Sequence, residues 1–98
     1  GFDAHRDDPL GRSRWTEAAY AGITRMLVHA KKGVGDPPIF LALEGGYNPG
    51  ALVSSVQSVL LELLENGRRM PAVSPTYEKT THLVHRLLKI HSKYGLMA

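Results

Sequence analysis

Two short segments of this chain concentrate residues that can do chemistry. The first, GFDAHRDDPLG at residues 1–11, brings Asp3, His5, Asp7 and Asp8 together ahead of a Pro-Leu-Gly turn. The second, EGGYN at residues 44–48, places Tyr47 and Asn48 after two glycines. Where no cysteine is present, zinc takes nitrogen and oxygen donors, and a carboxylate such as Asp3 suits it. A tyrosine after two glycines can approach a substrate closely, because glycine lets the backbone take unusual angles. Its O–H could then donate to an oxyanion forming on a carbonyl. Taken singly, the first segment also reads as a solvated turn and the second as a strand-to-helix turn with a packed tyrosine.

The surrounding pattern says what must position these loops. Residues 1–14 are loop-like, broken by Pro9, Gly11 and Ser13. Thr16 with Glu17 behind it predicts a helix start. Ala19, Ile23, Met26, Leu27 and Ala30 follow at helical spacing. Lys31 and Lys32 suit a last turn, and Gly33 could end the helix in a left-handed conformation. Residues 39–43, IFLAL, are continuously apolar and bounded by prolines and glycines, which suits a strand buried on both faces. Asn48-Pro49 predicts a capped helix start. Leu52, Val53, Val56, Val59, Leu60, Leu63 and Leu64 then form one stripe, closed by Asn66-Gly67. After a polar connector at 68–76, a last helix is predicted from about Tyr77 to Ser92, with Val84, Leu87, Leu88 and His91 along one side.

Helices alternating with a buried strand predict an α/β protein. One strand is not a sheet, and its backbone groups would need neighbours on both sides. The expectation is therefore the C-terminal part of a larger parallel-sheet domain. A chain of 98 residues that opens without a methionine fits that reading.

Composition removes several function classes. Net charge is only +3, with Lys and Arg scattered among acids, so no nucleic-acid partner is expected. The chain has no cysteine, hence no disulfide framework and no thiolate metal site. No apolar run approaches the length of a bilayer span, so no membrane partner is expected, and no signal peptide opens the chain. A cytoplasmic protein is the expectation.

The two chemical segments, in this order and some thirty residues apart, closely resemble the zinc-dependent histone deacetylase family, with its bacterial histone-deacetylase-like and acetylpolyamine amidohydrolase relatives. The resemblance runs from residue 1 to about 65, and the IHSKYG stretch near the end is also similar to the tail of several members. It implies a three-layer α/β deacetylase domain, of which residues 1–98 are the C-terminal fragment. Its parts would be a zinc-ligand loop at 1–14, a helix-strand-helix unit at 15–67, the connector at 68–76, and a terminal helix and tail at 77–98. It implies Asp3 as a zinc ligand and Tyr47 as the catalytic hydrogen-bond donor to the substrate carbonyl. Leu10, Gly45 and Gly46 would line the substrate channel, and Asp8 would support the loop. The activity implied is hydrolysis of a linear amide, with an acetylated lysine peptide or an acetylated small amine as partner.

One departure from the family pattern decides what this chain can do alone. The family has an Asp-x-His ligand pair and a tandem His-His earlier in its sequence. The five histidines here, at 5, 29, 82, 85 and 91, include no adjacent pair. Asp3-Ala4-His5 has the Asp-x-His form, but Arg-Asp-Asp-Pro-Leu follows it, which matches the later ligand segment; His5 is therefore not expected to be a ligand. In the last helix, His82 is expected to be exposed and His85 and His91 partly buried or at a helix edge. The isolated chain is expected to be inactive, to bind no zinc stably and to form a homo-oligomer through uncovered apolar surface. The alternative reading is a non-catalytic deacetylase-like interaction module that oligomerises through an open sheet edge. A third, Mg²⁺ or Ca²⁺ bound by Asp3, Asp7 and Asp8, lacks the spacing of a known cation loop.

Overall fold

A computed structural model describes residues 1–69 and 78–94. Its elements are a single 3-10 turn at Phe2–Ala4 and three α-helices, α1 (Glu17–Lys32), α2 (Pro49–Glu65) and α3 (Glu78–Lys93). Residues 70–76 of the connector expected at 68–76, residue 77 and the end of the expected tail, 95–98, lie outside the described residues.

The α/β parallel-sheet expectation is overturned. Among the described residues there is no strand, and the one β-bridge is an isolated parallel pairing of His5 with Trp15. Residues 39–43 find no ladder. A strand exists only where neighbours take its N–H and C=O groups, and here the nearest such bond lies just beyond the run, from Phe2 N–H to the Glu44 carbonyl at 3.0 Å. The side chains are not buried on two faces either: Phe40 is 91% exposed. A continuous apolar run therefore predicted a strand for which the described chain has no partner.

The helix limits follow local chemistry closely. Asn48 caps α2 by accepting from Ala51 N–H at 3.1 Å, and Pro49 occupies the first turn. At the other end Asn66 takes the left-handed conformation, with φ 46°, and its N–H returns to the carbonyls of Glu62 and Leu63. In α1, Thr16 occupies the cap position without a side-chain cap bond; its carbonyl accepts from Ala19 and Tyr20 instead. Gly33 is right-handed at φ −73°, and the reversal falls two residues later, at Gly35 and Asp36.

The helices α1 and α2 pack together, but not through their longest apolar stripes. Tyr20, Thr24 and Val28 are the buried residues of α1; Ala51, Ser55 and Glu62 are those of α2. Of the polar members, Thr24 and Glu62 are bonded, while the fully buried Ser55 Oγ has no hydrogen-bond partner among the described residues. Thr24 Oγ1 donates to the Tyr20 carbonyl at 2.9 Å. Arg25 forks onto Glu62 across the interface, with Nε to Oε2 at 2.8 Å and Nη2 to Oε1 completing the pair. The guanidinium holds the Glu62 carboxyl below its ordinary value. Met26, Leu27, Val53, Leu60 and Leu64 stay exposed. In α3 the apolar side Val84, Leu87 and Leu88 is exposed, as are His82, as expected, and His85 and His91, which were expected partly buried or at a helix edge. No helix among the described residues is long and apolar enough to cross a membrane.

Candidate functional site

Segment 1–15 is fixed onto α1 by aromatic packing and closed on itself by a pair of backbone bonds. Tyr20, on the first turn of α1, packs its ring against Phe2 (centroids 4.9 Å apart) and Trp15 (5.4 Å). Its hydroxyl donates to the Phe2 carbonyl at 3.2 Å. Burial, with the Asp3 and Asp8 carboxylates adding, pushes the Tyr20 phenol above its ordinary value. Trp15 N–H donates to the Ala4 carbonyl and Arg6 N–H to the Trp15 carbonyl, at 3.0 and 2.9 Å. The segment thus closes on itself directly under the 3-10 turn that carries Asp3.

His5 is the most enclosed histidine described, 1% exposed. Its Nδ1 accepts from Asp7 N–H at 3.1 Å, which fixes the proton of a neutral ring on Nε2. That Nε2 faces the Glu17 carboxylate at 3.4 Å, without the alignment of a hydrogen bond. Glu17 is held below its ordinary value first by its own N–H at the helix start, and then by His5.

The second loop is laid across the first. Gly45 and Gly46 have φ of 64° and 96°, angles that side-chain-bearing residues rarely adopt. The space is also taken. A Cβ at Gly45 would stand 2.8 Å from Asp3 Cγ, and one at Gly46 would stand 2.9 Å from Phe2 Cβ and from a Leu52 methyl. Asp3 therefore lies against the bare backbone of Gly45, two residues before Tyr47. Gly11 does the same from the other side: a Cβ there would collide with the Asp3 carbonyl at 1.6 Å. The sequence marked Gly11 only as a break in regularity; its place directly after Asp-Pro-Leu was the available signal for this contact.

Three hydrogen bonds join the loops. Phe2 N–H reaches the Glu44 carbonyl. Tyr47 N–H donates to Asp8 Oδ2 at 2.7 Å, and Asn48 Nδ2 donates to the Asp7 carbonyl at 3.0 Å. The other Asp8 oxygen, Oδ1, accepts from Leu10 N–H at 2.9 Å and Gly11 N–H at 2.8 Å. Asp8 is 8% exposed, and these donors, Tyr47 foremost, hold its carboxyl below its ordinary value although burial opposes them. The side chains of Tyr47 and Leu10 stand at the surface, 57% and 68% exposed. Asn48, read in the sequence as a helix cap, is also part of the joint.

The zinc implied by the resemblance needs three or four protein ligands. Among the described residues no three of His, Cys, Asp or Glu converge as a metal set. Asp3 is one carboxylate facing a glycine turn, so the described residues do not by themselves fit the ion. A cleft of about 500 Å³ opens behind the loops, between α1, α2 and residues 41–43. It is mostly apolar, walled by Phe2, Trp15, Ile23, Leu43, Val56 and Leu60; the hydroxyl-bearing residues in its lining, Tyr20 and Thr24, donate to backbone carbonyls.

Comparison with known proteins agrees with the two loops. The model of the histone deacetylase domain matches residues 1–63, and the chain belongs to that family. It is similar to Histone deacetylase clr3 of Schizosaccharomyces pombe, 35% identical over 96 residues, which cover 96% of this chain and 13% of that protein. It is similar to Histone deacetylase HDA1 of Saccharomyces cerevisiae, 30% identical over the same share of both chains. Histone deacetylase 15 of Arabidopsis thaliana is 41% identical over 64 residues, 65% of this chain and 11% of that protein. The chain thus spans about 13% of the length of these two fungal relatives. These relatives are eukaryotic, so the bacterial and acetylpolyamine branch is not singled out. No solved structure matches at a significant level.

Proposed function

We propose that this chain supplies one corner of the active site of a zinc-dependent deacetylase. In this reading Asp3 is one carboxylate ligand of the metal. Tyr47 donates its hydroxyl proton, as a hydrogen bond, to the substrate carbonyl as that oxygen gains charge. Leu10 and the backbone of Gly45 and Gly46 flank the acyl chain. The bond broken is the amide C–N of an acetylated amine; water provides the new C–O bond, and acetate and the free amine leave. The substrate is an acetylated lysine in a protein, a choice favoured over an acetylated small amine by relatives named histone deacetylases. The supporting observation is the contact of the Asp3 carboxylate with Gly45, two residues before Tyr47, across a gap of about forty residues in sequence. The missing metal ligands and tandem histidines lie outside these 98 residues, so the chain alone is inactive and holds no zinc stably.

Two assays test this. The 98-residue chain is purified, its zinc content measured, and a fluorogenic acetyl-lysine peptide offered; zinc-dependent turnover by the chain alone would overturn the corner reading. In the full-length protein, Tyr47→Phe should lower kcat by about a hundredfold or more, the scale of losing one oxyanion donor. Activity within twofold of wild type would remove Tyr47 from the mechanism.

A further inference from the structure

Tyr47 stands at the surface, and no hydrogen bond of its own hydroxyl is seen among the described residues. What fixes its place is its backbone. The peptide N–H of Tyr47 is held by Asp8 Oδ2 at 2.7 Å, while Oδ1 of the same carboxylate holds the N–H groups of Leu10 and Gly11. Asp8 is 92% buried (8% exposed) and is the one side chain among the described residues seen to hydrogen-bond with its two oxygens divided between the two loops.

We infer that Asp8 is a positioning residue for Tyr47: its carboxylate sets the distance between the Tyr47 hydroxyl and the reacting carbonyl, by fixing the Tyr47 peptide relative to the loop that carries Asp3. This rests on the role of Tyr47 proposed above and deepens it. Two anionic oxygens are required. Each is the acceptor for a different loop, and a carboxylate accepts at both while an amide accepts at only one. Bonds to an ionised acceptor are short and strong, and this one is partly shielded from water. The neighbouring joint, Asn48 Nδ2 to the Asp7 carbonyl, restrains the following residue but not the Tyr47 peptide itself. The two glycines preceding Tyr47 carry no side chains that could anchor its peptide, and the upstream bond, Phe2 N–H to the Glu44 carbonyl, lies three residues away. Without Asp8, the turn would keep its shape near Asn48 and lose its register at Tyr47.

Asp8→Asn separates this from a general structural role. The substitution is isosteric. With its oxygen toward Leu10 and Gly11, the local turn survives, and an NH₂ group then faces the Tyr47 N–H, donor against donor. In the full-length protein, D8N should lower kcat roughly ten- to a hundredfold, the scale of a misplacement near 1 Å, with KM moved less than threefold. The decisive measurement is a double-mutant cycle with Y47F. In the Tyr47→Phe background, D8N should cost nothing further, because the hydroxyl it positions is gone. An equal loss in both backgrounds, or no loss in either, would overturn the inference. If Y47F itself has no effect, the proposed role of Tyr47 fails first, and the cycle shows which of the two has failed. Amide exchange of the 98-residue chain provides a readout without turnover: Tyr47 N–H should lose protection in D8N while Leu10 and Gly11 N–H keep theirs. Unchanged Tyr47 protection would count against the inference. If D8N does not fold, D8E, which keeps both acceptors on an arm one methylene longer, goes through the same cycle with the same expected and contrary outcomes.

Discussion

The residues of the first loop share one neighbourhood but do different work. Asp3 offers its carboxylate outward against glycine. Asp8 turns inward to collect three N–H groups. His5, which the resemblance sets aside as a ligand, is buried and organises Asp7 and the start of α1. The Asp8 carboxyl is ionised below its ordinary pKa of 3.8 because the Tyr47 N–H, and then those of Gly11 and Leu10, favour the charged form. A carboxyl whose pKa falls on folding stabilises the fold above its unfolded value, and that contribution is lost as pH drops through the lower, folded value. Thermal unfolding followed by circular dichroism should therefore show wild type more stable than D8N near neutral pH. The difference should shrink as pH falls below about 4, where the unfolded chain begins to take up the proton, and be lost once the folded carboxyl is protonated as well. A gap that stays constant down to about pH 2 would mean that the N–H bonds do not depend on the ionised form. The sequence placed Asp8 beside a Pro-Leu turn and marked it as loop support. It could not name Tyr47 as the partner, because nothing local links positions thirty-nine apart.

At the level of the helices, local signals were legible and packing was not. Asn48, Pro49 and Asn66 set both ends of α2 as their chemistry predicts, because a cap is decided within one turn. The buried faces escaped notice because the stripe of Leu and Val is wider than the contact. Small and paired polar residues, Ala51, Ser55 and Glu62, give α1 its close approach instead. The ion pair of Arg25 and Glu62 is the consequence with the largest testable effect. Removing one partner strands a mostly buried charge, whereas replacing both by apolar residues does not. Arg25→Met or Glu62→Leu alone should each lower the midpoint of urea unfolding, while the double variant should recover most of that loss. Additive single effects would show that the pair is not the source. The run at 39–43 is the reverse case. Its composition is that of a buried strand, and its structure is an exposed extended segment, since pairing is a property of neighbours rather than of the run.

Taken whole, the molecule leaves much apolar surface uncovered. Leu41 and Leu43 join Ile23, Leu27 and Leu60 around an open cleft, and the preceding Phe40 is exposed, a patch of a kind that marks an interaction surface in soluble proteins. The 98-residue chain in isolation is expected to self-associate through this face. Light scattering over a hundredfold dilution series should show mass falling with concentration, and Leu41→Lys with Leu43→Lys should shift the chain toward monomer. A compact monomer at all concentrations would show that the face closes on itself. The same surface is what the interaction-module reading would use, and zinc-independent self-association with no catalytic effect of Tyr47→Phe in the full-length protein would favour that reading.

The joint between Asp8 and Tyr47 also has a kinetic meaning. Its partners are separated by 39 positions, with the whole of α1 between them. Helices can form from neighbouring residues within microseconds, whereas a contact of such long range must wait until loop closure has been offset by packing. The joint between the two loops should therefore be among the last parts of the chain to become native, after α1 and α2 have formed. Recovery of Tyr47 amide protection during refolding would then follow, rather than accompany, the return of helical signal.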